Sequence, residues 1–570
     1  MRIGLLTEGG YPYLSGDAGL WCDRLVRGLG QHEFDVYALS RSEDQEDEGW
    51  VPLPPQVSRV RTAPLWTARD AGPAYGRRAR RRFTEYYGEL ADVLCASGTG
   101  DLPGHPGETS ASEADRFANA LHGLAGLARD EGPLAGALRS ETAVRALERA
   151  CRAPGAQRPA REARVPDLLA VVAHLARALR PLSLDWYDDA GLGAVDLCHA
   201  ASGGSAALPG LLARHFFGVP LLLTEYGVRL RTHYLTATEY SPSIRALVAA
   251  FHGRLTAEIY RRAAVITHGN AHARRWQERC GADRAKLRTV HPGMDAAPFT
   301  EAGEYPDRTA PDTLVWVGTV EPAKDLVSLL HALTEIRKEE PWTRLRIIGS
   351  PRDPEGAEYL AHCRALAAHL FPDDADGPYA PGRDPVSFEA IGDPGLPFAR
   401  DAYTAGALVV LSSVVEGFPA GLVEAMLCAR ATVCTDVGAV VEAVGGTGLV
   451  VPPRNPRALA EACVALLRDP GRRARLGAAA RARALELFTV EQNVTAFHGI
   501  YQEIHSRTPV RRVVPYDAGE PRPFAAPAET HVPDRWTAGA RPRAARSRPG
   551  WATDAPPRPA AALSAVEGAR

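Results

Sequence analysis

The chain is predicted to be α/β, folded as two doubly wound lobes, on three observations. It opens strand, Gly-rich loop, helix, strand. That alternation resumes after an Ala- and Arg-rich interruption. A second alternating set begins beyond a Pro/Asp/Thr-rich linker near 304–313. At 570 residues, with 45% hydrophobic content, the chain is long enough for more than one buried core.

In the first lobe, "RIGLLT" (2–7) is a short apolar strand. "EGGYPYLSGDAG" (8–19) is turn chemistry, with glycine freeing the backbone and proline ending both neighbours. Leu20, Trp21, Leu25, Val26 and Leu29 recur at helical spacing, and "FDVYALS" (34–40) returns as a strand. Residues 97–165 have few large apolar groups and are expected to form exposed helices and loops. The alternation resumes with "AVDLCHAAS" (194–202), a helix at 208–218, "VPLLLTEYG" (219–227), a long helix at 241–263, "AAVITHG" (263–269) and "RTVHPGMD" (288–295).

The second lobe reads "LVWVG" (314–318), a helix at 324–338, "RLRIIGS" (344–350), "LVVLSS" (408–413), "ATVCTDVG" (431–438), "GLVVPP" (448–453) and a helix from 455. The expected organisation is a domain at 1–300, with an insertion near 97–165, and a second domain at 308–490. A terminal helix at 491–506 would pack back on the first domain. The Pro- and Arg-rich residues 507–570 are read as a disordered tail, because their composition cannot support a core. Paired sheets of this kind leave a cleft at the carboxyl ends of their strands, where ligands bind.

Composition narrows the function classes. A net charge of −2 gives no overall pull toward nucleic acid or membrane. The nine cysteines include no C-x-x-C pair, which suits buried thiols in a reducing compartment. The N-terminal apolar run is too short for a signal peptide, and no stretch approaches the roughly 20 apolar residues of a membrane span. The expectation is a cytoplasmic enzyme. No G-x-G-x-x-G follows the first strand, which argues against a nicotinamide site.

The chemistry concentrates in "SSVVEGFPAGLVEAM" (412–426). A strand ends at Ser412–Ser413, Gly417 and Pro419 shape a loop, and a helix starts near Gly421. The first amides of a helix lack internal partners and carry partial positive charge, so they can hold a diphosphate. Glu416 in the loop can accept hydrogen bonds from sugar hydroxyls, and Glu424 in the first turn from a ribose diol. Spacing alone leaves open that Glu424 only complements the helix dipole.

The whole string "EGFPAGLVEAM" resembles the donor-site signature of retaining GT-B glycosyltransferases of family 4. "VWVGTVEPAKDLVSLLHAL" resembles their donor-phosphate loop, and "TDVGAVVEAVGGTGLVVPPRNPRALAEA" their closing segment. The resemblance covers roughly 313–485. In the first half, "EGGYPYLSGDAGLW", "LCHAASGGSAALPGLLAR" and "PLLLTEYGVRLR" resemble the PelF-type exopolysaccharide branch.

The resemblance implies a GT-B fold and transfer, with retention, from a nucleotide-diphosphate sugar to a glycan, lipid-linked or small-molecule acceptor. It implies catalytic roles for Lys324, Glu416 and His199. Gly318, Thr319, Lys324, Glu416, Gly417, Phe418, Pro419, Gly421, Leu422 and Glu424 would form the donor site. Glu8, Gly10, Gly16, Glu225, Tyr226 and Arg229 would line the acceptor side. No cofactor beyond the donor substrate is implied, and no metal.

Three positions depart from the family pattern. Thr319 stands where an arginine usually follows the loop glycine, removing a bidentate phosphate clamp; Arg229 or Arg231 is the candidate substitute. Tyr226 stands where the branch has histidine, and a phenol is a poor base near neutral pH. Asp17 follows Gly16 in place of a second glycine. These departures motivate the alternative of a nucleotide-sugar-binding, non-catalytic partner in a polysaccharide assembly; an epimerase on the same architecture is a minor third reading.

"DDAD" (373–376) contains the D-x-D of a metal site in another glycosyltransferase fold, but its Pro/Gly-rich surroundings favour a solvated loop. "GRRARRRF" (76–83) reads first as a solvated helical face; contact with an anionic membrane or lipid-linked acceptor is the functional alternative.

Overall fold

The computed structural model describes residues 1–13, 16–65, 75–96, 108–304, 310–372 and 385–508. It contains two parallel sheets. The first runs β1 (Arg2–Glu8), β2 (Glu33–Ser40), β3 (Val57–Pro64), β4 (Leu197–Ala200), β5 (Leu221–Thr224), β6 (Val265–His268) and β7 (Leu287–Thr289), in the order 3-2-1-4-5-6-7. The second contains β8 (Thr313–Val317), β9 (Arg344–Ile348), β10 (Val386–Glu389), β11 (Leu408–Leu411), β12 (Ala431–Thr435) and β13 (Leu449–Val451), in the order 10-9-8-11-12-13. Each order reverses beside its first strand, at β1/β4 and at β8/β11. Those are the topological switch points where open α/β sheets bind ligands. The two Rossmann-like lobes and their parallel sheets are as the sequence predicts.

Burial explains the strands. β1 buries its five central residues and β12 all five, as expected where helices cover both faces of a parallel sheet. Two strands escape the sequence reading. β3 (VSRVRTAP) is mostly half-exposed with two arginines, and β10 (VSFE) has four residues and lies at an edge. Neither has the apolar run that marks a buried strand.

The Ala-rich interruption needs correction. Its described helices Glu108–Glu131 and Glu141–Cys151 are not merely exposed: Phe117, Leu121, Leu124, Leu127 and Leu147 are fully buried. Alanine allows this, because small side chains let helices approach closely while a few leucines carry the apolar area. The arginine run opens the helix Arg77–Cys95. Arg82 pairs with Asp130 at 3.2 Å, and Arg77, Arg78, Arg80 and Arg81 are exposed.

The chain crosses between lobes twice, side by side. Met294 N donates to Phe488 O at 2.7 Å, and Val490 N donates to Met294 O at 3.2 Å. The returning helix Val490–Arg507 then buries Phe497, Ile500, Tyr501 and Ile504 in the first lobe's core beside Ile3, Leu5, Trp21 and Val26. Burying each such side chain stabilises by about 1.5–3 kcal/mol, enough to hold the helix there.

All nine cysteines are buried and none is disulfide-bonded. Among the described residues no helix is long and apolar enough to cross a membrane, and no three His, Cys, Asp or Glu side chains are arranged to hold a metal. The D-x-D segment at 373–376 and the tail from 509 lie outside the described residues.

Candidate active site

Two loops leave the switch point of the second sheet. The first follows β8. Gly318 N donates to Ile348 O at 3.2 Å and Val320 N to Ser350 O at 3.1 Å, so the loop containing Thr319 lies against the end of β9. It ends in the turn Pro322–Lys324. Asp325 takes left-handed geometry (φ 48°) and caps the helix Leu326–Glu339 by accepting from Ser328 N at 3.2 Å. Aspartate tolerates that geometry better than most side chains.

The second loop follows β11 and is tied to the first. Ser412 Oγ donates to Lys324 O at 2.7 Å, and Val414 N donates to Ala323 O at 2.8 Å. This brings Lys324 and Glu416, 92 residues apart, into contact: Nζ donates to Oε2 at 2.7 Å. Ser413 Oγ donates to the same oxygen at 3.0 Å. The pair is largely enclosed, with Lys324 16% and Glu416 12% exposed.

A third segment clamps the loop from behind. Thr435 Oγ1 donates to Ser413 O at 2.6 Å, and Ala439 N to Gly417 O at 3.3 Å. Gly438 has φ +56°, and a β-carbon there would stand 2.2 Å from Glu416 O. Only glycine allows that approach.

Pro419 leads into the helix Ala420–Leu427, which has no side-chain cap at its start. Phe418 meets Phe488 edge-on with ring centroids 5.7 Å apart. Glu424 Oε2 accepts from Tyr403 Oη at 2.6 Å. Gly421 lies beside that pair, where a β-carbon would stand 3.1 Å from the tyrosine oxygen. Leu422, expected to line the donor site, is 2% exposed and packs into the hydrophobic core, so its side chain cannot line an open site.

The first lobe sets a different group at its strand ends. Glu8 closes β1, and its Oε1 accepts from Arg229 Nη2 at 2.6 Å. Gly10 packs against the helix Gly16–Gly28, its missing β-carbon 3.4 Å from Gly19 N. Glu225, just past β5, is 1% exposed. Its Oε2 accepts from Tyr260 Oη, and its Oε1 lies against Gly203, where a β-carbon would be 2.1 Å away. Burial pushes its carboxyl up to about 7, against the opposing pull of Tyr260, Gln277 and Arg229.

His199 is not placed to touch a ligand. Its side chain is fully enclosed, with Nδ1 2.7 Å from Tyr501 Oη and Nε2 2.7 Å from Thr224 Oγ1. Burial lowers its pKa to about 3, which holds the ring neutral. Its geometry is that of a core histidine satisfied by two hydroxyls. Tyr226 lies at the lobe junction. Its Oη accepts from Asn493 Nδ2 at 3.3 Å, and its ring meets Trp21 edge-on at 5.4 Å. Asn493 also donates to His291 O at 2.7 Å and accepts from Trp21 Nε1 at 3.2 Å.

The structure therefore gathers Lys324, Glu416 and Gly417 at one switch point and joins Glu8 to Arg229 at the other. It sends His199 and Leu422 into the core. Sequence reasoning passes over Tyr403, Ser413 as a partner of Glu416, Gly438 and Asn493. Gly438 had a signal in its T-D-V-G turn; Tyr403 had none, because its partner lies 21 residues away.

Two lobes with such sheets and loops define the GT-B architecture. Solved structures share it. Sucrose-phosphate synthase from Thermosynechococcus elongatus superposes with a TM-score of 0.52 at 17% identity, covering 89% of this chain and 99% of that one. HepE of Anabaena, solved in complex with UDP, gives 0.50 at 15%, covering 88% and 100%. The chain belongs to the family described as Domain of unknown function (DUF3492), whose model matches residues 1–285, half of its length. Residues 385–469 match the model described as Glycosyl transferases group 1. Two relatives are D-inositol 3-phosphate glycosyltransferases. That of Kineococcus radiotolerans is 32% identical over 39% of this chain and 52% of its own. That of Streptomyces bingchenggensis is 30% identical over 39% and 49%. The chain spans about half the length of the curated relatives it matches.

Proposed function

We propose that the chain is a retaining glycosyltransferase of family 4, within the PelF-type branch. It transfers a sugar from a nucleotide-diphosphate donor to a glycan, lipid-linked or small-molecule acceptor, in polysaccharide or glycoconjugate biosynthesis. No metal takes part in this reading. The observation that carries it is the Lys324–Glu416 pair at a switch point, beside the uncapped start of the helix Ala420–Leu427. An ammonium has three donors. One holds Glu416 and Glu321 stands 3.8 Å away, which leaves others for a diphosphate. At the helix start Ala420 N and Leu422 N already donate to Phe418 O and Pro419 O, so the helix contributes chiefly the positive end of its dipole.

As the bond between the sugar and the diphosphate breaks, negative charge grows on the leaving phosphate. Lys324 and the helix start stabilise that charge without having to reorganise. Glu416, held on Oε2 by Lys324 and Ser413, accepts from sugar hydroxyls, and Glu424 accepts from the ribose. The acceptor lies toward Glu8 and Arg229 at the first sheet's switch point. His199 acts through packing.

The test is release of nucleoside diphosphate from a panel of nucleotide sugars. Turnover with one donor, reduced about 10²-fold or more in Lys324→Ala and Glu416→Ala, supports the reading. Full turnover in both variants defeats it. Thr319 and Tyr226 favour a second reading, a donor-binding partner without catalysis. Tight calorimetric binding with no turnover, unchanged in Tyr226→His, selects that one.

A further inference from the structure

We propose that Tyr403 is a positioning residue that fixes the Glu424 carboxylate for a ribose diol and so makes the site prefer ribonucleotide over 2′-deoxyribonucleotide donors. The inference rests on the donor-site reading above.

Tyr403 lies in the short helix Ala399–Thr404, ahead of β11, and is 2% exposed. Its ring meets Phe299 edge-on at 6.2 Å. It is therefore held by packing, and its hydroxyl is delivered to one place, 2.6 Å from Glu424 Oε2. Burial, reinforced by the neighbouring carboxylate, raises the phenol well above its ordinary range, so it stays a donor at every working pH.

Gly421 makes the contact possible. It stands one helical turn before Glu424, and a β-carbon there would crowd the tyrosine oxygen at 3.1 Å. The arrangement repeats that at Glu416, whose Oε2 is likewise held by neighbouring donors. At each carboxylate Oε2 accepts from a neighbouring side-chain donor. A carboxylate on a flexible stem otherwise has to be ordered by the ligand, and affinity is lost in doing so. A vicinal diol gains from the fixed plane by offering two hydroxyls; a 2′-deoxyribose offers one and gains less.

Tyr403→Phe removes only the hydroxyl and keeps the ring that packs on Phe299. With the best donor, KM should rise about 3- to 10-fold while kcat stays within about twofold, less than for a lost contact to the donor itself, because the bond removed only orients Glu424. Calorimetric titration with UDP, ADP and GDP against their 2′-deoxy counterparts should show the ribo preference fall by a similar factor. Gly421→Ala, whose β-carbon would crowd the same hydroxyl at 3.1 Å, should weaken the preference too. Thermal unfolding of both variants near the wild-type temperature confirms that folding is intact.

Wild-type KM and full ribo preference in Tyr403→Phe overturn the proposal. So does a wild-type protein that binds ribo and deoxyribo ligands equally. A wild-type protein that binds none of them and turns over no donor overturns the donor-site reading itself.

Discussion

Replacing Glu225 by glutamine separates the charge of this buried carboxylate from its shape. The side chain is 1% exposed, and burial holds its carboxyl near 7, against 4.5 in an unstructured chain. The sign follows from linkage. An acid whose folded pKa is raised keeps its proton in the folded state while the unfolded state releases it. Stability is therefore lost as pH rises from 4.5 through about 7, and the loss is complete above that window. The gap corresponds to about 3 kcal/mol at most.

Glutamine is neutral at every pH, can accept from Tyr260 and fits the space beside Gly203. Glu225→Gln should therefore match the wild type in thermal stability at pH 4.5. At pH 8 it should exceed it by about 6 °C, taking about 2 °C per kcal/mol for a lobe of this size. The assay is calorimetric unfolding of both proteins across this range. Comparing variant with wild type cancels the titration of every other group. A difference that does not change with pH, or one that favours the wild type at pH 8, would refute the assignment of a buried, destabilising charge.

Other expectations follow from the same geometry. Half-buried His122 and His174 and buried His199 and His268 all have folded pKa values lowered to about 4 or below, against 6.5 when unfolded. Wild-type stability should therefore fall as pH drops below 6.5 toward 4, in acid unfolding followed by circular dichroism. His199→Ala strands the Tyr501 hydroxyl, while Thr224 keeps Thr267 as a partner, and it opens a cavity, so it should cost about 2–4 kcal/mol in denaturant unfolding. The folded variant should keep its kcat within a few-fold; a hundredfold loss at unchanged stability would restore a catalytic role. Gly438→Ala forces a left-handed backbone on a β-carbon that meets Glu416 O. It should cost about 1–2 kcal/mol of stability and at least tenfold in donor affinity, read by thermal shift and titration.

The fold was legible where burial is continuous. β1, β8 and β11 carry runs of apolar residues because helices cover both their faces, and that pattern survives in one dimension. β3 and β10 were not legible, because edge strands keep polar residues and carry little periodicity. The loop around Glu416 could be read because its glycines, proline and carboxylates are contiguous. Its support could not. Lys324 meets Glu416 across 92 residues and Tyr403 meets Glu424 across 21. Such pairs are set by the order of strands in the sheet.

His199 shows the opposite failure. It occupies the strand-end position expected of a cleft residue. However, the returning helix Val490–Arg507 covers that strand end and supplies Tyr501 as its partner. Nothing near residue 199 announces a contact 302 residues away.

The account turns on Lys324 as the cation that meets a diphosphate. Titration of UDP, ADP and GDP into the wild type and Lys324→Gln tests this most directly. The account predicts binding of at least one by the wild type, and an affinity about 10- to 100-fold lower in the variant, as expected for a lost charge-assisted contact. Equal affinity in the two proteins would contradict it.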